Sequence, residues 1–167
     1  MTLIHPDPTK RQREASDPQH SVWVGASAGT GKTKVLTDRV LRLMLAGTPP
    51  DRILCITFTR AAAAEMANRI AATLARWATM PDEALQLALA DLMGTPPSTA
   101  VQTEARRLFA RVLDVPGGMR IQTVHSFCQS LLRRFPVEAG LPPQFELIDD
   151  RSAAEMLERV RRRGAGG

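Results

Sequence analysis

The sequence predicts an α/β fold, a parallel sheet flanked by helices. Three observations lead there. A short apolar run, Val22-Trp23-Val24, passes through a glycine-rich loop into a helical pattern. A second run, Ile53-Leu54-Cys55-Ile56-Thr57-Phe58, shows little alternation, as expected of a strand buried on both faces of a parallel sheet. Apolar runs and helical periodicities then continue to alternate along the chain. Its 167 residues, 44% of them hydrophobic, suffice for one domain with a real core.

The elements follow in order. Residues 1–20 are polar and rich in Pro and Asp, giving an extended lead-in with a short helix near Thr9 to Ala15. The first strand is expected over about His20 to Ala26. The next helix should run from about Gly31 to Ala46 on Val35, Leu36, Val40, Leu43 and Met44, with Gly47-Thr48-Pro49-Pro50 ending it. After the second strand, a long helix is predicted from about Arg60 to Thr79. Ala63, Met66, Ala67, Ile70, Leu74 and Trp77 share its apolar face, and the alanines at 61 to 64 let its first turn approach the sheet.

Pro81-Asp82 starts another helix, which Gly94 caps. Ser98 begins one carrying Val101, Ala105, Leu108, Phe109 and Val112 on one side. Its Arg106, Arg107 and Arg111 lie mostly elsewhere, where solvation is expected. Pro116-Gly117-Gly118 is a turn before a short strand, Met119 to Thr123. A strongly amphipathic helix follows on Val124, Phe127, Cys128, Leu131, Leu132 and Phe135, until Leu141-Pro142-Pro143 breaks it. Phe145 to Ile148 reads as one more strand and Ser152 to Arg163 as a last helix.

The formal net charge is +5, which favours a polyanionic partner. Cys55 and Cys128 sit in apolar patterns without CxxC spacing and read as reduced, buried thiols. His5, His20 and His125 show no metal-ligand spacing. The first 20 residues contain no apolar signal-peptide core, and no apolar run is long enough to span a bilayer. These features predict a cytoplasmic protein with no membrane partner.

The octapeptide Ala26-Ser27-Ala28-Gly29-Thr30-Gly31-Lys32-Thr33 reads as a Walker A phosphate loop in an Ala-first form. Gly29 and Gly31 let the backbone curl so that successive N–H groups cradle phosphate oxygens. The helix starting near Lys32 adds the positive end of its dipole. Lys32 is suited to the β- and γ-phosphates, and the Thr33 hydroxyl to a Mg²⁺ ion. A glycine-rich turn with a solvated lysine is the plainer alternative. On spacing alone, Phe58 reads as a core residue, His125 as a capping or core histidine and Gln12 as a solvated side chain.

Three further segments carry a family resemblance. Ile56-Thr57-Phe58-Thr59-Arg60-Ala61-Ala62-Ala63-Ala64-Glu65-Met66-Ala67-Asn68-Arg69-Ile70 resembles motif Ia of superfamily 1 helicases of the UvrD/Rep type. Ile121-Gln122-Thr123-Val124-His125-Ser126-Phe127-Cys128 resembles the DNA-contact motif that follows. Gln12, within Arg11-Gln12-Arg13-Glu14-Ala15, resembles the Q motif. Within the superfamily, Leu131-Leu132-Arg133-Arg134-Phe135-Pro136-Val137-Glu138-Ala139-Gly140-Leu141 is most similar to the AddA branch, the helicase–nuclease subunits that process double-strand breaks. The run Val22 to Leu36 supports the same branch, and the likeness extends from about Thr9 to Glu158.

The resemblance implies a partial RecA-like P-loop NTPase domain and an ATP-dependent DNA helicase using ATP and Mg²⁺. It places ATP on residues 26–33 with Gln12 at the adenine, Lys32 and Thr33 being the catalytic pair. It places single-stranded DNA on Thr57, Phe58, Thr59, Thr123 and His125, with Phe58 as a stacking platform. It implies single-stranded DNA and duplex ends as substrates and an AddB-type partner subunit. Residues 1–150 would be the N-terminal part of the ATP-binding domain (RecA-like 1A), and 151–167 the start of an inserted helical subdomain or a truncated tail. Leu147-Ile148-Asp149-Asp150 is not read as Walker B; its acids suit a helix start. The chain therefore reads as an N-terminal piece without Walker B or an arginine finger, expected to lack full activity alone. Rival readings are a P-loop kinase or ATPase of another class, and a non-catalytic remnant.

Overall fold

The computed structural model describes residues 8–25, 31–146, 148 and 150–164. The elements are α1 (Pro8–Ala15), α2 (Lys32–Leu45), a 3-10 turn (Pro50–Arg52), β1 (Leu54–Thr57), α3 (Arg60–Thr79), α4 (Asp82–Met93), α5 (Thr99–Leu113), β2 (Arg120–Thr123), α6 (Val124–Arg134) and α7 (Asp150–Gly164). β1 and β2 pair in parallel, Leu54 opposite Arg120 and Thr57 opposite Thr123. The predicted mixed α/β class and parallel pairing hold. The chain divides into two compact units, residues 1–124 and 125–167.

In the first unit, α3 is the central helix. Met66, Ile70, Leu74 and Trp77 form a buried seam along it. Val40, Leu41 and Met44 of α2, Leu85, Leu89 and Leu92 of α4, and Ala105 and Leu108 of α5 complete the core. Cys55, Met119 and Ile121 pack against it from the strands and the turn before β2. Leu36 and Ala67, both expected on apolar faces, are exposed instead.

The helix ends follow from local sequence. Gly47, at φ 91°, closes α2: its N–H donates to the Met44 carbonyl at 2.9 Å, and the Thr48 N–H donates to Leu43 at 3.0 Å. Gly94, at φ 78°, ends α4. The Ser98 hydroxyl accepts from the Val101 N–H at 3.3 Å and starts α5.

Several expectations are corrected. Residues 21–25 form no strand; Trp23 is 95% exposed. A strand exists only through its ladder partners, and among the described residues the sheet holds β1 and β2 alone. For the same reason β1 is not buried on both faces: Leu54 and Ile56 are 43% and 46% exposed. Phe145, Glu146 and Ile148 are not in a strand; Leu147 and Asp149 lie outside the described residues. Cys128 is exposed and Cys55 only half-buried, so the expectation of two buried thiols fails. Burial pushes the Cys55 thiol pKa up. In the second unit, α6 keeps its amphipathic pattern but has no buried residue.

Arg106 is not simply solvated. Its guanidinium donates to the carbonyls of Trp77 (3.2 Å), Ala78 (3.3 Å) and Met80 (2.9 Å), and pairs with the Asp82 carboxylate. It thereby serves carbonyls at and just past the end of α3, which otherwise lack helical donors. Arg106→Ala should destabilise the chain by about 1–3 kcal/mol, because those half-buried carbonyls lose a charged donor. Arg106→Lys, with a single ammonium in place of the fork, should recover only part. Urea denaturation checks both; an unchanged midpoint in Arg106→Ala would make the cap dispensable.

Candidate nucleotide and nucleic-acid site

The phosphate-loop segment Ala26–Thr30 lies outside the described residues, whereas Gly31, Lys32 and Thr33 lie within them. Gly31 is the N-cap of α2, at φ 86° and ψ 16°. That left-handed conformation favours glycine. Its carbonyl accepts the Val35 N–H at 3.0 Å and so starts the helix. Lys32 is exposed and Thr33 half-buried in the first turn, at the positive end of the helix dipole. The Thr33 carbonyl accepts the Thr37 hydroxyl at 2.8 Å, so Thr37 is buried with its polar group satisfied.

Gln12 comes to the same place from α1. A Cβ on Gly31 would lie 3.1 Å from Gln12 Nε2. The Gln12 side chain is half-buried and its carbonyl accepts the Ser16 N–H at 3.0 Å. Gln12 is therefore not a freely solvated side chain of a lead-in.

Three arginines hold α1 there. Arg13 Nη2 meets Asp91 Oδ1 at 2.8 Å, and Arg13 Nε donates to the Asp91 carbonyl at 3.0 Å. Arg42 Nη1 donates to the Arg13 carbonyl at 2.7 Å and to Ser16 Oγ at 3.0 Å. Arg39 donates to the carbonyls of Asp17 and His20. The Gln19 N–H on Asp17 holds its carboxyl below the usual carboxylate range, against desolvation, with help from Arg42 and His20. Sequence reasoning missed these arginines. Their one signal was the three-residue spacing of Arg39 and Arg42, which puts both on one side of the helix.

At the carboxyl end of β1 the chain bends at Phe58 and Thr59 before α3. The Thr57 hydroxyl donates to the Thr59 carbonyl at 3.0 Å. Thr59 Oγ1 accepts the Ala62 N–H at 3.1 Å and is the N-cap of α3. Phe58 is 92% exposed, which removes the core reading that its spacing alone favoured. The register sets Thr57 beside Thr123 at the carboxyl ends of both strands, the edge where open α/β sheets bind ligands. Thr123 is buried. His125 is exposed and belongs to the second unit, so it is not a core histidine.

The similarity to known proteins covers almost the whole chain. Residues 8–165 match the model of the UvrD/REP helicase N-terminal domain. The chain belongs to this helicase family. Its α/β class and parallel pairing fit the RecA-like P-loop fold that the family shares. Among curated relatives, an ATP-dependent helicase/nuclease subunit of the AddA type from Lactobacillus johnsonii is 37% identical over 153 residues, 90% of this chain and 11% of the relative. The protein of the same name from Pelotomaculum thermopropionicum is 40% identical over 136 residues, 80% of this chain and 9% of the relative. That from Latilactobacillus sakei is 34% identical over 165 residues, 95% and 16%. The chain thus spans less than a fifth of the length of these relatives. Among the described residues, no helix is long and apolar enough to cross a membrane.

A substitution at Gly31 tests the local geometry directly. Gly31→Ala should cost about 1–2 kcal/mol from the left-handed backbone alone. It should also push the Gln12 amide away. Thermal melting checks the first effect; a melting temperature equal to that of the parent would show that the loop relaxes freely.

Proposed function

We propose that this chain is the nucleotide- and DNA-engaging start of an ATP-dependent DNA helicase, an AddA-type protein that processes double-strand breaks. The observation that supports this most is the meeting of Gln12 with Gly31, at the helix that the phosphate loop leads into. An amide there can pair with the N6 and N7 edge of adenine, while the loop takes the phosphates. In this reading residues 26–33 bind ATP, Lys32 neutralises the β- and γ-phosphates and Thr33 ligates Mg²⁺. Bound Mg²⁺ would supply further neutralisation of phosphate charge.

Single-stranded DNA is assigned to Phe58, Thr57, Thr59, Thr123 and His125. Phe58 offers an exposed ring on which a base can stack without regard to sequence. The Thr59 hydroxyl, whose oxygen already accepts from Ala62, can still donate to a phosphate oxygen. Residues 1–150 are assigned to the ATP-binding domain and 151–167 to the start of an inserted helical subdomain or a tail. For the whole protein we infer duplex ends as substrate, a cytoplasmic location and an AddB-type partner subunit.

Lys32→Ala should weaken binding of a fluorescent ATP analogue roughly 10- to 100-fold, since a charge-assisted contact is lost from the phosphates. Equal affinity in parent and variant would sink the phosphate-loop assignment.

Phe58→Ala should weaken single-stranded DNA binding by about 1–3 kcal/mol, read by fluorescence anisotropy with an oligothymidine. Its melting temperature should stay put, because an exposed side chain contributes little to stability. Unchanged DNA affinity would remove Phe58 from the interface.

A further inference from the structure

We propose that Arg42 is a positioning residue for base recognition: it reaches from the phosphate-loop helix to pin the end of α1, and so sets where Gln12 meets Gly31. This rests on the reading of Gln12 as the adenine contact.

Arg42 cannot touch the nucleotide itself. It lies ten residues beyond Lys32, roughly 15 Å along the helix axis. What it touches is the end of α1. One nitrogen donates to the Arg13 carbonyl at 2.7 Å and to Ser16 Oγ at 3.0 Å. The other lies 3.8 Å from Asp17 Oδ1. Ser16 is buried, and its hydroxyl donates to the same Arg13 carbonyl at 3.0 Å. The Arg13 carbonyl is in the last turn of α1, where helical donors run out. Arg42 therefore completes the helix end that Gln12 belongs to.

α1 needs such help. With eight residues it is too short to persist alone. Its sequence, PTKRQREA, supplies no apolar seam, and none of its residues belongs to the hydrophobic core. Polar contacts from Arg42 and Arg13 are what fix it. The Asp91 contact of Arg13 ties α1 to α4, whereas Arg42 ties it to the helix that also begins at Gly31. Arg42 and Gly31 are thus held at a constant separation by one element. The amide and the loop keep their relative position through Arg42.

The test uses the full 167-residue chain with Arg42→Ala, Arg42→Lys, Gln12→Ala and, as a control, Arg69→Ala. The first readout, without nucleotide, is hydrogen–deuterium exchange at residues 12–17. Arg42→Ala should exchange tenfold faster or more there, with α3 and α5 unchanged, and Arg42→Lys should fall between. The second readout is the affinity ratio for fluorescent ATP and GTP analogues. It should fall towards one in Arg42→Ala and Gln12→Ala alike, while affinity for inorganic triphosphate stays within about twofold. Arg69→Ala should leave both readouts unchanged. Unaltered exchange in Arg42→Ala overturns the proposal. So does a preserved ATP preference in Arg42→Ala when Gln12→Ala abolishes it. A preserved preference in Gln12→Ala overturns the base-reading role and the functional half of this proposal with it; the exchange result then judges the clamp alone.

Discussion

The seam of Met66, Ile70, Leu74 and Trp77 on α3 is the contact on which the first unit is built. Each of these side chains is almost wholly removed from water, and each full burial of that kind is worth about 1.5–3 kcal/mol before entropy is charged against it. Helices α2, α4 and α5 gather on the seam, and β1 and β2 lie against the same helix. Both ends of α3 are then fixed by polar groups. Thr59 caps the start and Arg106 serves the carbonyls at the finish. The start matters for function, because the cap that begins α3 also sets the bend carrying Phe58.

The two halves of the proposed nucleotide site are attached by different physics. Gly31 heads α2, whose buried Val40, Leu41 and Met44 anchor it in the core. Gln12 rides on a helix with no share in that core. It is held by guanidinium groups on carbonyls and carboxylates, contacts that are directional but individually modest in water. Directional contacts fix an amide to a particular distance in a way that apolar packing of a short polar helix could not. The same choice makes the α1 side of the site the softer one, since its tethers are partly solvated and sensitive to salt.

Most of the helices were legible in the sequence because their signals are local. The bounds of α3 agree with the prediction from periodicity and flanking residues, and Gly47, Gly94 and Ser98 cap where their residue types say they should. Strands were harder. An apolar run such as Val22-Trp23-Val24 announces a wish to be covered, but a ladder needs a neighbour supplied from elsewhere in the chain, and residues 21–25 have none in the sheet. The same missing layer explains the exposure of Leu54 and Ile56. Phe145 to Ile148 failed on equal grounds. Of the site, the motif residues were legible by type, whereas the arginines that place α1 were not. A guanidinium bonded to a carbonyl 29 residues away and a hydroxyl 26 residues away leaves no trace in composition or period.

Not every exposed apolar group here carries the same meaning. Leu54 and Ile56 alternate along β1 and lie on one face, so their exposure reports only that this face is uncovered. Continued alternation would put Phe58 on that face as well. But the ladder stops at Thr57, and the Thr57 hydroxyl on the Thr59 carbonyl holds a bend in between. Phe58 therefore leaves the pleat, and its exposure is twice that of Leu54 or Ile56. A layer added over the sheet would bury the two strand residues through ordinary packing. The ring of Phe58 projects from a capped, hydrogen-bonded bend at the carboxyl edge, so its exposure is a product of local backbone geometry and not of sheet width. That distinction makes Phe58, among the exposed apolar side chains of the first unit, the one whose accessibility the fold itself builds.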